Sequence, residues 1–139
     1  MPPAGLIDTG AILAIVDADE HLHAACVEAL SSMRLPLLTT EAVLTEFFHM
    51  IHARSLNMEK AWKFVLSGAL ALRARNDSDL PELHALMTQY ADCPMDFADA
   101  TLVHLAAREG LSVILTVDRD DFSTYRLPGR KRFTILPVG

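Results

Sequence analysis

Cysteine is scarce in this 139-residue chain, with Cys26 and Cys93 the only two. Two cysteines cannot build the disulfide framework of a small secreted domain, and their spacing fits no zinc site. A reducing, cytoplasmic setting is therefore the expectation. Long apolar runs are missing too. No stretch reaches the roughly 18 uninterrupted residues a membrane span needs, and Met1-Pro2-Pro3-Ala4-Gly5 lacks the basic start of a secretory leader. Positive charge is also short, 12 Lys and Arg against 18 Asp and Glu, for a net charge of −6. This argues against a protein that coats nucleic acid through its phosphates. It leaves room for an enzyme that meets nucleic acid at one metal-loaded acidic pocket. The hydrophobic fraction is 51% with 22% charged, so a core is expected rather than disorder.

The length suits one domain, and with no repeat, linker or low-complexity tract, residues 1–139 read as a single domain. Short buried strands are expected at 5–8, 36–39, 112–116 and 133–136, with a weak edge strand over 70–75. Thr9-Gly10 reads as a turn into an apolar run, 11–16. Helical spacing runs through 20–33, 41–54, 57–67, 78–90 and 96–109, and Gly110 is a natural stop for the last. Strands alternating with helices predict an α/β fold, three layers with a mainly parallel sheet of four to five strands. Such sheets bind ligands beyond the carboxyl ends of their strands.

The acidic residues fall where that rule points. Asp8 ends the first strand and Asp118 follows Thr116 at the end of the fourth. On the helix over 41–54, Glu46 lies roughly 60° from Val43 and 40° from Met50, at the margin of the apolar stripe. Asp99 shares a face with Leu102, Val103 and Ala106. Carboxylates beside a core need partners, yet no matching Lys or Arg is in view. Converging carboxylates raise one another's pKa, and a hard divalent cation relieves that repulsion. Mg²⁺, or Mn²⁺ in its place, bound this way supports hydrolysis of phosphodiesters.

Taken together, Leu6-Ile7-Asp8-Thr9-Gly10-Ala11, the stretch from Asp19 to Ala25, residues 39–46, Tyr90 through Ala100, and Thr116 through Phe122 followed by Tyr125-Arg126 resemble the PIN-domain family. The likeness is to VapC-type toxins of bacterial toxin–antitoxin pairs, and it spans essentially the whole chain in order. The resemblance implies a PIN-like fold and an Mg²⁺- or Mn²⁺-dependent endoribonuclease. Its catalytic and metal-binding acids would be Asp8, Glu46, Asp99 and Asp118. Asp8 and Asp99 would be the principal ligands; Glu46 would complete the shell or orient the attacking water. Asp118 would ligate a second metal or act through water, supported by the Thr116 hydroxyl. Thr9, Thr116 and Arg126 are the expected substrate-side contacts. An RNA substrate, a cognate antitoxin and a homodimer are the implied partners, with no membrane.

Plainer roles compete at several positions. Asp8 could satisfy turn amides, and Asp96 is a plausible helix cap with Asp99 as its capping-box partner. Asp120 and Asp121 read as a solvated turn. His21 and His23 sit at a polar helix start, and Glu46-x-x-His49 has no second copy to make a di-iron site. Cys26 reads as a core thiol. Trp62, Phe64 and Val65 with Phe47, Phe48 and Met50 are either plain core or a groove for a partner helix. Arg126, Arg130, Lys131 and Arg132 are phosphate contacts or a solvated tail. The other functions that fit are an RNA-processing nuclease, an idle PIN-like binding module and, least well, a phosphoacceptor receiver domain.

Overall fold

The computed structural model describes residues 4–139; residues 1–3, where the leader reading begins, lie outside the described residues. In chain order, β1 (Leu6–Ile7) leads into α1 (Thr9–Val16) and α2 (His23–Ser31), then β2 (Leu37–Thr39). Next come α3 (Glu41–Ala53), α4 (Met58–Val65) and β3 (Leu70–Leu72), followed by α5 (Leu80–Gln89) and α6 (Phe97–Glu109). The chain finishes with β4 (Val113–Leu115), α7 (Arg119–Thr124), β5 (Arg126–Leu127), β6 (Lys131–Arg132) and β7 (Thr134–Leu136). None of the described helices is long and apolar enough to cross a membrane.

Five strands form one parallel sheet in the order β3-β2-β1-β4-β7. Successive strand residues point to opposite faces, yet Leu6 and Ile7, or Ile114 and Leu115, are all fully buried. Both faces are therefore covered, which is the three-layer α/β arrangement expected of parallel strands. From β1 the chain steps outward to β2 and β3, then returns to lay β4 on the other side of β1. The reversal opens a crevice at the carboxyl ends of β1 and β4.

The helices obey local chemistry. Thr40 caps α3 by accepting from the Val43 amide, and Asn57 caps α4 the same way at Lys60. Gly110 closes α6 with φ of 66°, a left-handed conformation that suits glycine. Three expectations need correcting. Thr9-Gly10 is no loop but the first turn of α1, with Asp8 as its N-cap. That helix is apolar almost all round and buries Thr9, Ala11, Ile12, Leu13, Ala14 and Val16. It has no polar face, hence no amphipathic period to reveal it. Likewise, residues 119–124 are helical rather than an acidic turn, and 126–132 form a small β5–β6 hairpin rather than a tail.

The aromatic residues of α3 and α4 divide between the two readings. Phe47 is fully buried, whereas Trp62 remains 44% exposed with its ring 4.6 Å from that of Phe48. Cys26 is buried and unpaired, as a core thiol should be.

Candidate active site

Strand ends and helix starts deliver the acids to the crevice. Asp8 is the residue after β1, and its amide donates to the Leu115 carbonyl at 3.1 Å, which fixes it against the end of β4. One carboxylate oxygen of Asp8 accepts from the Thr9 amide at 2.7 Å, and the other from the Thr116 hydroxyl at 3.0 Å. The same Thr116 oxygen accepts from the Asp118 amide at 3.0 Å. A single hydroxyl thus ties the two acid-bearing loops together. Gly10 lets them approach, because a Cβ there would lie 2.5 Å from Cγ2 of Val117.

Asp99 arrives on the first turn of α6, which Asp96 caps by accepting from the Asp99 amide at 2.8 Å. The capping box is not closed by Asp99. Its Oδ2 instead accepts from the Tyr125 hydroxyl at 2.7 Å. Asp8, Glu46, Asp99 and Asp118 all line one cavity of about 320 Å³, joined by Asp96 and Asp121. Asp8 and Asp99 are buried, while Asp118 is exposed at the rim.

Electrostatics follow from this crowding. Burial pushes Asp8 up to about 6, with Glu46 and Asp118 adding to the rise and the Thr9 and Thr116 hydrogen bonds opposing it. Burial also pushes Asp99 up to about 8, helped by Asp8 and resisted by Tyr125. Asp121 is raised to about 6 by partial burial and by its neighbour Asp118. Burial and the Asp99 hydrogen bond hold the Tyr125 phenol far above its ordinary range, so it stays a donor. None of the ion pairs among the described residues involves these acids.

The donor set is all oxygen, which suits a hard cation such as Mg²⁺ or Mn²⁺ better than zinc or copper. Among the described residues, no three His, Cys, Asp or Glu side chains close a metal cage on their own. Mg²⁺ does not require one, since it keeps several waters and uses only one or two carboxylates. Burial does most to raise Asp8 and Asp99, and repulsion from neighbouring carboxylates adds to it; a bound cation would offset both.

The substrate-side expectations fare unevenly. Thr9 lines the cavity, but it is buried and its hydroxyl turns to the Val43 carbonyl at 3.4 Å. Thr116 is completely buried, so it positions Asp8 and Asp118 instead of touching substrate. Arg126 is not at the acids. Its guanidinium donates to the Ser123, Thr124 and Tyr125 carbonyls at the end of α7, and it lines a different hollow with Glu82 and His104.

Two residues were missed, Asp121 in the cavity wall and Tyr125 behind it. Asp121, expected in a solvated turn, faces the acids; its signal was Asp118 three residues earlier, a capping spacing that the structure realises. Tyr125 belongs to the quoted motif but acquires its role only through a contact 26 residues away in sequence.

This fold and acid-lined crevice are those of a PIN domain, and the PIN domain family model matches residues 5–127. The chain belongs to the PIN-domain family, which removes the receiver-domain alternative. Among characterised relatives, it is 34% identical over 134 residues to ribonuclease VapC26 of Mycobacterium tuberculosis (strain ATCC 25618 / H37Rv), covering 95% of this chain and 99% of that protein. The crystal structure of VapC20 from Mycobacterium tuberculosis, a toxin that cleaves the sarcin–ricin loop, superposes with a TM-score of 0.75. At 17% identity over 84% of this chain and 92% of that one, the likeness is one of fold.

Proposed function

We propose that this protein is a metal-dependent endoribonuclease, the toxin of a toxin–antitoxin pair, folded as one PIN domain over its whole length. The observation that carries the reading is the pair of buried carboxylates, Asp8 and Asp99, in one cavity that no Lys or Arg of the described residues lines. The 34% identity to a VapC ribonuclease along nearly the full chain supports RNA as substrate.

Asp8 and Asp99 are the residues to hold Mg²⁺ or Mn²⁺, with Glu46 and Asp118 at the edge of the same cavity. Bound there, the ion supplies a polarised water and stabilises charge developing on the phosphoryl oxygens. The protein groups do the positioning. Thr116 orients the Asp8 carboxylate through Oδ2, and Tyr125 orients Asp99 through Oδ2, which leaves Oδ1 of Asp99 directed to other partners. Glu46, on the same cavity, would complete the shell or orient the attacking water. Asp121 adds negative charge that raises the demand for a cation. A cognate antitoxin and a second copy of the chain are the protein partners.

The test is cleavage of a single-stranded RNA pool by the purified protein in Mg²⁺, Mn²⁺ or EDTA, beside Asp8→Asn and Asp99→Asn. Cleavage that requires metal and both acids upholds the reading. Binding of RNA with no cleavage in either metal would replace it with the binding-module alternative.

A further inference from the structure

Beside the acid cavity, and sharing Glu46 and Asp96 with it, lies an open hollow of about 590 Å³. One wall is a single face of α3, contributed by Ala42, Thr45 and His49. The other is the start of α6, where Phe97 is 48% exposed although the next residues, Ala98 to Ala106, are buried. Phe97 gains little from packing there. Among the described residues its ring stacks on no other aromatic ring, unlike Phe47, Phe48, Tyr90, Phe122, Tyr125 and Phe133.

Charge narrows what this hollow can hold. Among the described residues no Lys or Arg lines either it or the acid cavity, so phosphates crossing here find no ammonium or guanidinium side chain. Affinity beside the acids has to come from elsewhere. Alanine floors at Ala42 and Ala98, an exposed aromatic face and two exposed polar side chains, Thr45 and His49, suit a flat ring with a polar edge. Single-stranded nucleic acid supplies that group through base–aromatic stacking.

We propose that this hollow seats one unpaired nucleobase of the RNA strand, stacked on Phe97 and read at its edge by His49 and Thr45, next to the phosphodiester at the acid cavity. The proposal rests on the nuclease reading and adds the substrate subsite to it. Because stacking is tolerant of base identity, Phe97 supplies hold and His49 supplies choice.

The test compares wild type with Phe97→Ala, Phe97→Trp and Phe97→Leu, using single-stranded RNA in Mn²⁺. Stacking predicts that Phe97→Ala lowers kcat/KM about 5- to 150-fold, mainly through KM, from the usual value of one stacked base. Trp should restore it and Leu should not, with melting temperatures unchanged. Equal rescue by Leu would mean simple packing and overturn the proposal. So would an unchanged kcat/KM in Phe97→Ala while wild type cleaves. A Phe97→Ala variant that changes sedimentation together with KM would make the occupant a second copy of the chain. If wild type fails to cleave at all, the nuclease reading fails first, and a second measurement still decides the subsite. In a Trp62→Phe, Phe97→Trp chain, an RNA octamer must quench fluorescence more than an abasic octamer of equal charge; equal quenching would refute stacking.

Discussion

Glu82 and Asp99 belong to neighbouring packed helices, α5 and α6, yet they meet opposite company. Glu82 reaches the buried ring of His104 and is itself largely exposed, so its charge is shared between a partner and water. Asp99 is buried with a phenol on one oxygen and other carboxylates nearby, and no cation follows it inside. The same contrast holds for Glu20 with Arg54 and Glu109 with Arg73 at the surface. Glu20, Glu82 and Glu109 each have a basic partner as well as water; Asp8 and Asp99, the buried acids at the carboxyl end of the sheet, have no basic partner among the described residues. A fold tolerates such a cost where function demands it, and the unpaired set marks the site more sharply than any one motif.

The contrast is broken most directly by removing the unpaired charge. Asp8→Asn and Asp99→Asn are each expected to lower RNA cleavage by about 100-fold or more, since even outer-shell changes at metal sites cost about 10- to 100-fold. Without metal, Asp99→Asn should melt level with wild type or above it, because the change removes repulsion while keeping an acceptor for Tyr125. A clear loss of stability would make Asp99 a structural anchor and erase its difference from Glu82. Metal sharpens the contrast from the other side. At 100 times its dissociation constant, Mn²⁺ or Mg²⁺ should add about 2.7 kcal/mol, or roughly 10 °C in Tm, and neither variant should respond.

Thr116→Val tests the hydroxyl between the loops. It strands the Asp118 amide and removes a donor from Asp8, a loss of about 1–3 kcal/mol by thermal or urea melting. The pH dependence has a definite sign. Folded Asp8 and Asp99 keep protons up to about 6 and 8, while the unfolded chain releases them near 3.8. Between those values folding takes up protons, so stability of the metal-free protein falls as pH rises from about 4 to 8. Melting in EDTA at pH 5 and pH 8 checks this, and Asp99→Asn should flatten the slope. The smallest effect is at the paired acid. Glu82→Gln, at a largely exposed position, should change stability by less than about 1 kcal/mol.

Much of this contrast could be read before the structure. The β-branched run at 112–116 announced β4, the apolar stripe at Val43, Phe47 and Ile51 announced α3, and the lack of Lys or Arg near the acids announced a crevice of acids without basic partners. What escaped was either too short or too distant. The β5–β6 hairpin has two residues a strand, too few for alternation to register. Arg126 looked free for phosphate because nothing local shows that three carbonyls at the end of α7 would claim it. Nothing local singles out Phe97, and only the layout of α3 against α6 leaves its ring in the open.

The bond from Thr116 to Asp8 joins residues 108 positions apart. During synthesis, a nascent chain already carries Asp8, Glu46 and Asp99 well before β4 and Thr116 exist to draw them together. The clasp thus comes only after α1 to α6 and β1 to β4, and a product truncated before Thr116 carries Asp8, Glu46 and Asp99 without it.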